Sequence, residues 1–195
     1  MPSLNIIASK IIFLSSVLAP VWGWCDVTQP DPENKNTKMS VTNVSAGIPA
    51  EIANYFSGTW SGKGEFASGK KIEAEVSFTP DLNNQWLLYR HTDKLPNQYK
   101  SLGMWGVERN SKKLVMVVSD SFNSARLFVS EGWQQDKLEF NNSMPITPMA
   151  ISNARKERFI FEKISLDSFK MTYESNTNDS GWKLGDFLIF NKLAN

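Results

Sequence analysis

His91 is the chain's only imidazole and Cys25 its only thiol, so the side chains that most often carry catalysis or bind metal number one each. Nucleophilic catalysis sets a serine, threonine or cysteine beside a base, and His91 has no accompanying Gly-x-Ser-x-Gly or comparable signature. A structural zinc site draws on four nitrogen or sulfur donors, which one histidine and one distant cysteine do not supply. The carboxylates Asp93, Glu108, Asp120, Glu131 and Asp186 are scattered over separate segments, and only folding could bring two of them into an acid–base pair. No catalytic residue, metal or cofactor is assigned from sequence, and an enzyme reading would rest on two of those carboxylates converging.

The apolar side chains are more suggestive. Trp86, Met104, Trp105, Met116, Phe128, Phe140, Phe159, Phe161, Met171, Tyr173 and Phe187 could supply a large, adaptable lining for a small ligand, or simply a packed core. Arg90 and Arg126 lie among apolar neighbours, where a buried guanidinium needs a carboxylate partner or the acidic head of a ligand. Surface placement of both is the alternative. Arg90 and His91 are adjacent on one extended segment and point to opposite faces. If Trp86, Leu88 and Arg90 look inward, His91 faces solvent with Leu87 and Tyr89; the other register reverses this. Both faces are amphipathic, so periodicity leaves the choice open.

The elements that would position these residues are strands. From Trp60 onward the hydrophobic period is two, clearest where Ile72, Ala74, Val76 and Phe78 alternate with Lys71, Glu73, Glu75 and Ser77. The expected strands are 59–66, 70–79, 85–94, 99–108, 113–120, 125–132, 136–142, 155–164, 168–175 and 182–192, most joined by short turn signals. The one long loop is 143–153, with Pro145 and Pro148. A short helix is expected just before the first strand, opened by Pro49, with Ile52, Tyr55 and Phe56 at helical spacing and Gly58 as its stop. About ten strands with no long amphipathic helix favour a closed antiparallel up-and-down β-barrel, which leaves no exposed sheet edge. A barrel of that size has room for an internal cavity.

The N-terminus reads as an export signal: a segment ending at Lys10, an apolar run over 11–21 too short to span a bilayer, then small residues with cleavage after Gly23. Residues 24–48 are polar and rich in Pro, Asn, Thr and Ser, a linker composition, and 49–195 form the barrel domain. An exported, periplasmic or secreted location follows. Bulky Trp22 and Trp24 around Gly23 argue against a lipid anchor on Cys25. With 21 basic against 20 acidic residues, there is no field to draw the protein onto nucleic acid. No apolar stretch after the signal is long enough for a transmembrane helix, and the sequence leaves oligomeric state open.

Gly58-Thr59-Trp60, behind a short helix and ahead of about ten strands, resembles the Gly-x-Trp opening strand of the calycin superfamily, which includes lipocalins, fatty-acid-binding proteins and nitrobindins. Gly103-Met104-Trp105-Gly106-Val107, and residues 169–174 followed by Gly181-Trp182-Lys183, look like a bacterial family of uncharacterised exported lipocalin-like proteins. The resemblance covers about residues 55–193. It implies that Trp60 plugs the closed end of a barrel, with Gly58, Gly62 and Gly64 letting its strand bend. Lys192 stands where many calycins carry an arginine against that tryptophan, so a weaker latch, or none, is expected. In fatty-acid-binding calycins inward arginines hold a carboxylate, which suggests that role for Arg90 or Arg126. Nitrobindins hold haem through a histidine near the C-terminus, where this chain has none, so haem is not expected. The reading is a carrier or sensor for a small apolar or amphipathic molecule, lined by Trp86, Met104, Trp105, Met116, Phe128, Met171 and Tyr173. A filled barrel acting as an interaction module of the cell envelope is the alternative.

Overall fold

A computed structural model of the chain describes residues 47–145 and 155–194, with 143–145 described by their backbone alone. The expected signal segment, Cys25, nearly all of the linker and most of the 143–153 loop lie outside the described residues. The described chain forms α1 (Ala50–Phe56) and strands β1 (Gly58–Phe66), β2 (Lys71–Asp81), β3 (Trp86–Asp93), β4 (Lys100–Val107), β5 (Leu114–Asp120) and β6 (Ala125–Ser130). The two-residue β7 (Trp133–Gln134), β8 (Lys137–Pro145), β9 (Lys156–Ser165), β10 (Ser168–Asn176) and β11 (Lys183–Lys192) complete it. Neighbours pair antiparallel from β6 back to β1, then through β11, β10, β9 and β8, and a β6–β8 pairing closes the ring. The result is the expected closed antiparallel barrel of ten strands, with β7 as a short extra rung on β8.

The strong alternation of β2 sets the inward face of its neighbours. Ile72, Ala74, Val76 and Phe78 are buried, and the charged side chains between them face water. Antiparallel partners project to the same side, so the pairs Phe78 with Tyr89, Val76 with His91 and Ala74 with Asp93 turn those β3 residues inward. The same register continues into β4, where Leu87 faces Trp105 and His91 faces Ser101. Between the two registers that the sequence left open for β3, the structure takes the one with Leu87, Tyr89 and His91 inside. Arg90 is therefore exposed on the outer surface, and Trp86 and Leu88 lie on the same face.

One end of the barrel is closed by α1. Its one face, Ile52 and Phe56, is fully buried, and Phe56 packs within 5.0 Å of Phe78 and Trp105 and 5.3 Å of Phe169, ring centroid to ring centroid. Trp60 is fully buried beneath it and donates its indole N–H to the Phe56 carbonyl at 2.7 Å, tying strand to helix. The Lys192 ammonium lies 5.0 Å from the Trp60 ring centroid, so lysine does contact the indole, through its charge over the ring rather than a guanidinium stack. Gly58 sits at φ 119°, a conformation that favours glycine at the sharp exit from helix to strand. At Gly64 a Cβ would fall 1.7 Å from the Phe187 carbonyl oxygen, so β1 and β11 approach more closely than any side chain there would allow.

Candidate functional site

The α1 half of the barrel is filled and the opposite half is hollow. Trp105, Phe140 and Phe161 interlock in the filled half, with Trp105 within 5.0 Å of Phe140 and 4.9 Å of Phe161, and Phe128 is fully buried 5.2 Å from Phe159. Above them a cavity of about 610 Å³ opens at the end where β1 turns into β2 and β3 into β4. Its walls carry Ile72, Met116, Val118, Phe159, Met171 and Leu188, and its rim Phe66, Pro96, Tyr99 and Phe122. Such a volume, largely apolar and with a few polar groups turned into it, has the character of a small-molecule site.

Those polar groups fall into two sets. On one side is a string along a single strand: the Tyr89 hydroxyl lies 3.1 Å from His91 Nδ1, and His91 Nε2 lies 2.7 Å from Asp93 Oδ1. All three side chains are inside because residues 89, 91 and 93 share one face of β3. The Tyr89 hydroxyl and the Asp93 carboxylate thus occupy both ring nitrogens. Burial pushes the Tyr89 hydroxyl well above its ordinary pKa, with the Tyr99 hydroxyl adding to the rise, so it stays a donor. Asp186, inward on β11, lines the same wall. Burial and, secondarily, the charge of Asp93 push its carboxyl up to about 7.

The other set is centred on Arg126 of β6. Its Nη2 donates to Asp120 Oδ2 at 2.6 Å and its Nη1 to Glu157 Oε2 at 3.4 Å, while its Nε is buried without a partner. Glu157 also accepts from the Tyr173 hydroxyl. Burial, then that hydrogen bond, raises the Tyr173 pKa. Asp120 resists its own burial: the hydroxyl of Ser124, the backbone N–H groups of Phe122 and Ser124, and Arg126 together hold its carboxyl below the usual value. Burial disfavours the Arg126 charge, but Glu157, the Tyr99 hydroxyl and Asp120 outweigh it and raise the guanidinium's pKa.

The fold has known counterparts. The solved structure titled "Crystal Structure of Rv2717c from M. tuberculosis" superposes with a TM-score of 0.54 at 14% identity, over 76% of this chain and 100% of that one. That likeness and the closed barrel fit a calycin-like fold. No family model matches the chain, and no curated protein matches it.

Set against the residues singled out from sequence, Met116, Arg126, Met171 and Tyr173 line the cavity. Trp105 and Phe128 are inward but belong to the filled half. Trp86, Arg90 and Met104 are on the outer face, with Met104 paired beside Leu88, and they do not line the cavity; the β2 register puts them there. Of the scattered carboxylates, Asp93, Asp120 and Asp186 line the one cavity, joined by Glu157. Glu157 was not singled out from sequence, and the Tyr89–His91–Asp93 string lies on one of the two β3 faces that the sequence left open. The signal for the string was the period-two spacing of 89, 91 and 93, readable only once an inward face is chosen. Among the described residues no group of three or more His, Cys, Asp and Glu side chains is placed to hold a metal ion, and no helix is long and apolar enough to cross a membrane.

Proposed function

We propose that this chain is an exported lipocalin-like protein, of the bacterial kind that its sequence resembles, that takes up a small amphipathic molecule in the barrel. The observation that carries this reading is the half-open cavity of about 610 Å³, with apolar walls and ionisable groups turned inward. An apolar tail would occupy the space between Met116, Met171, Phe159 and Leu188, where thioether and aromatic side chains adapt to varied shapes. The head group would reach the polar groups nearer the mouth. Two converging carboxylates do not by themselves make an acid–base site: Asp120 and Glu157 are engaged by Arg126, and Asp93 by His91.

Native mass spectrometry of the protein purified from the cells that produce it tests the reading. A molecule released from the folded protein supports it, and an intact mass equal to that of residues 24–195 supports export with signal cleavage. A clean apo mass that persists after exposure to lipid extracts overturns it in favour of an interaction module. A specific observation favours that second reading. Leu88, Met104, Val117 and Leu127 are cross-strand neighbours in one row on the outer face of β3 to β6, with Val117 37% and nearby Leu102 43% exposed.

A further inference from the structure

The charge balance inside the cavity separates one class of amphipathic ligand from another. An inward arginine invites a carboxylate only if its own charge is free, and Arg126 already holds Asp120 and Glu157, two anions for one cation. Its Nε is buried without a partner, and its charge-assisted contacts are to these two carboxylates. Arg155, half-exposed at the mouth, is likewise drawn to Glu157 at 3.6 Å and to the Tyr173 hydroxyl at 3.2 Å. His91 presents no free nitrogen.

Asp186 is different. Among the described residues its carboxyl makes no side-chain hydrogen bond or ion pair, although it lines the cavity and is largely shielded from water. Lys70, on the turn beyond Phe66, holds its ammonium 5.7 Å over the Phe66 ring and forms no ion pair with Asp186. The residues beside Asp186 across the sheet are Phe66 on β1 and Tyr173 on β10. A carboxyl framed by aromatic rings in an apolar cavity is what recognises an organic ammonium: the anion accepts its N–H groups, and ring faces attract its charge.

Resting on the cavity-binding reading above, we propose that Asp186, reinforced by Asp93, seats a cationic head group, so that the ligand is an amphipathic amine rather than a fatty acid. The sign is opposite to the one the fatty-acid-binding resemblance suggested for Arg126.

Calorimetric titration of the full chain with decylammonium, decanol and decanoate, at about pH 8 where the carboxyl is ionised, tests this. Decylammonium is expected to bind about tenfold tighter than decanol, and decanoate more weakly than either, as one charge-assisted hydrogen bond would give. Asp186→Asn should bring the amine down to the affinity of the alcohol while leaving alcohol binding within about twofold, which also reports an intact cavity. Tightest binding by decanoate, or an amine-to-alcohol ratio unchanged in D186N, overturns the assignment while cavity binding stands. Failure of all three ligands to bind overturns the cavity reading as well.

Discussion

Replacing Asp186 by asparagine should stabilise the protein, and increasingly so as pH rises. The folded-state value of about 7 lies above the ordinary 3.8, so the folded protein holds this proton where the unfolded chain has released it. The group's favourable contribution is therefore complete below about pH 4 and is lost as pH climbs through about 7. A gap of this size corresponds to on the order of 4 kcal/mol between the two ends of that window, before water entering the open mouth screens part of it. Asparagine has the shape of the protonated acid and cannot ionise. Wild type and D186N should therefore have nearly equal unfolding free energies at about pH 4, with D186N ahead by a few kcal/mol at about pH 8. Urea unfolding at several pH values, followed by tryptophan fluorescence, measures the difference. Parallel wild-type and variant profiles across this range would refute the burial argument, because an aspartate with an ordinary value would leave no pH-dependent gap.

Four further outcomes follow from the same contacts. Phe56→Ala removes the ring that joins α1 to Phe78, Trp105 and Phe169, and should cost about 3–5 kcal/mol in chemical unfolding. Gly64→Ala puts a methyl group 1.7 Å from a backbone oxygen, which cannot rotate away, and should cost about 3 kcal/mol or more or abolish soluble expression. Arg90→Ala, on the outer face, should change stability by no more than about 0.5 kcal/mol and leave ligand titrations unaltered. Asp120 has its value held below 3.8, so its stabilisation is present above that pH and is lost as pH falls; Asp120→Asn should flatten the acid limb of the stability profile, measured by thermal unfolding below about pH 4.

Strand existence was legible in the sequence because most strands are bounded by turn signals and β2 carries a period-two pattern that burial of one face enforces. The ring closure followed from the lack of a covering helix. What was not legible was register, and the reason is local. On β3 the outward set, Trp86, Leu88 and Arg90, is about as apolar as the inward set, Tyr89, His91 and Asp93, because the outer surface from β3 to β6 is itself apolar. A strand with two amphipathic faces carries no inside label of its own and takes it from a neighbour, here β2.

The same ambiguity hid the polar end of the cavity. On β11, Asp186, Leu188 and Phe190 face inward while Phe187 and Ile189 face out, so the apolar residues outnumber the acid on the inward face and the pattern reads as continuously buried. A lone acid at the end of such a run looks like the strand's solvated terminus. It is instead carried inside, because close approach at Gly64 draws β11 against β1 and Phe66 lies across from it at the rim. Arg126 shows the converse. Sequence marked it as a charge in need of a partner, and the fold supplies two from strands 6 and 31 residues away, at Asp120 and Glu157. Arg126, one of the two anchors that sequence singled out, is thus paired from within, and the cavity carboxyl left without a side-chain partner among the described residues is Asp186, which sequence marked only as one of five scattered carboxylates.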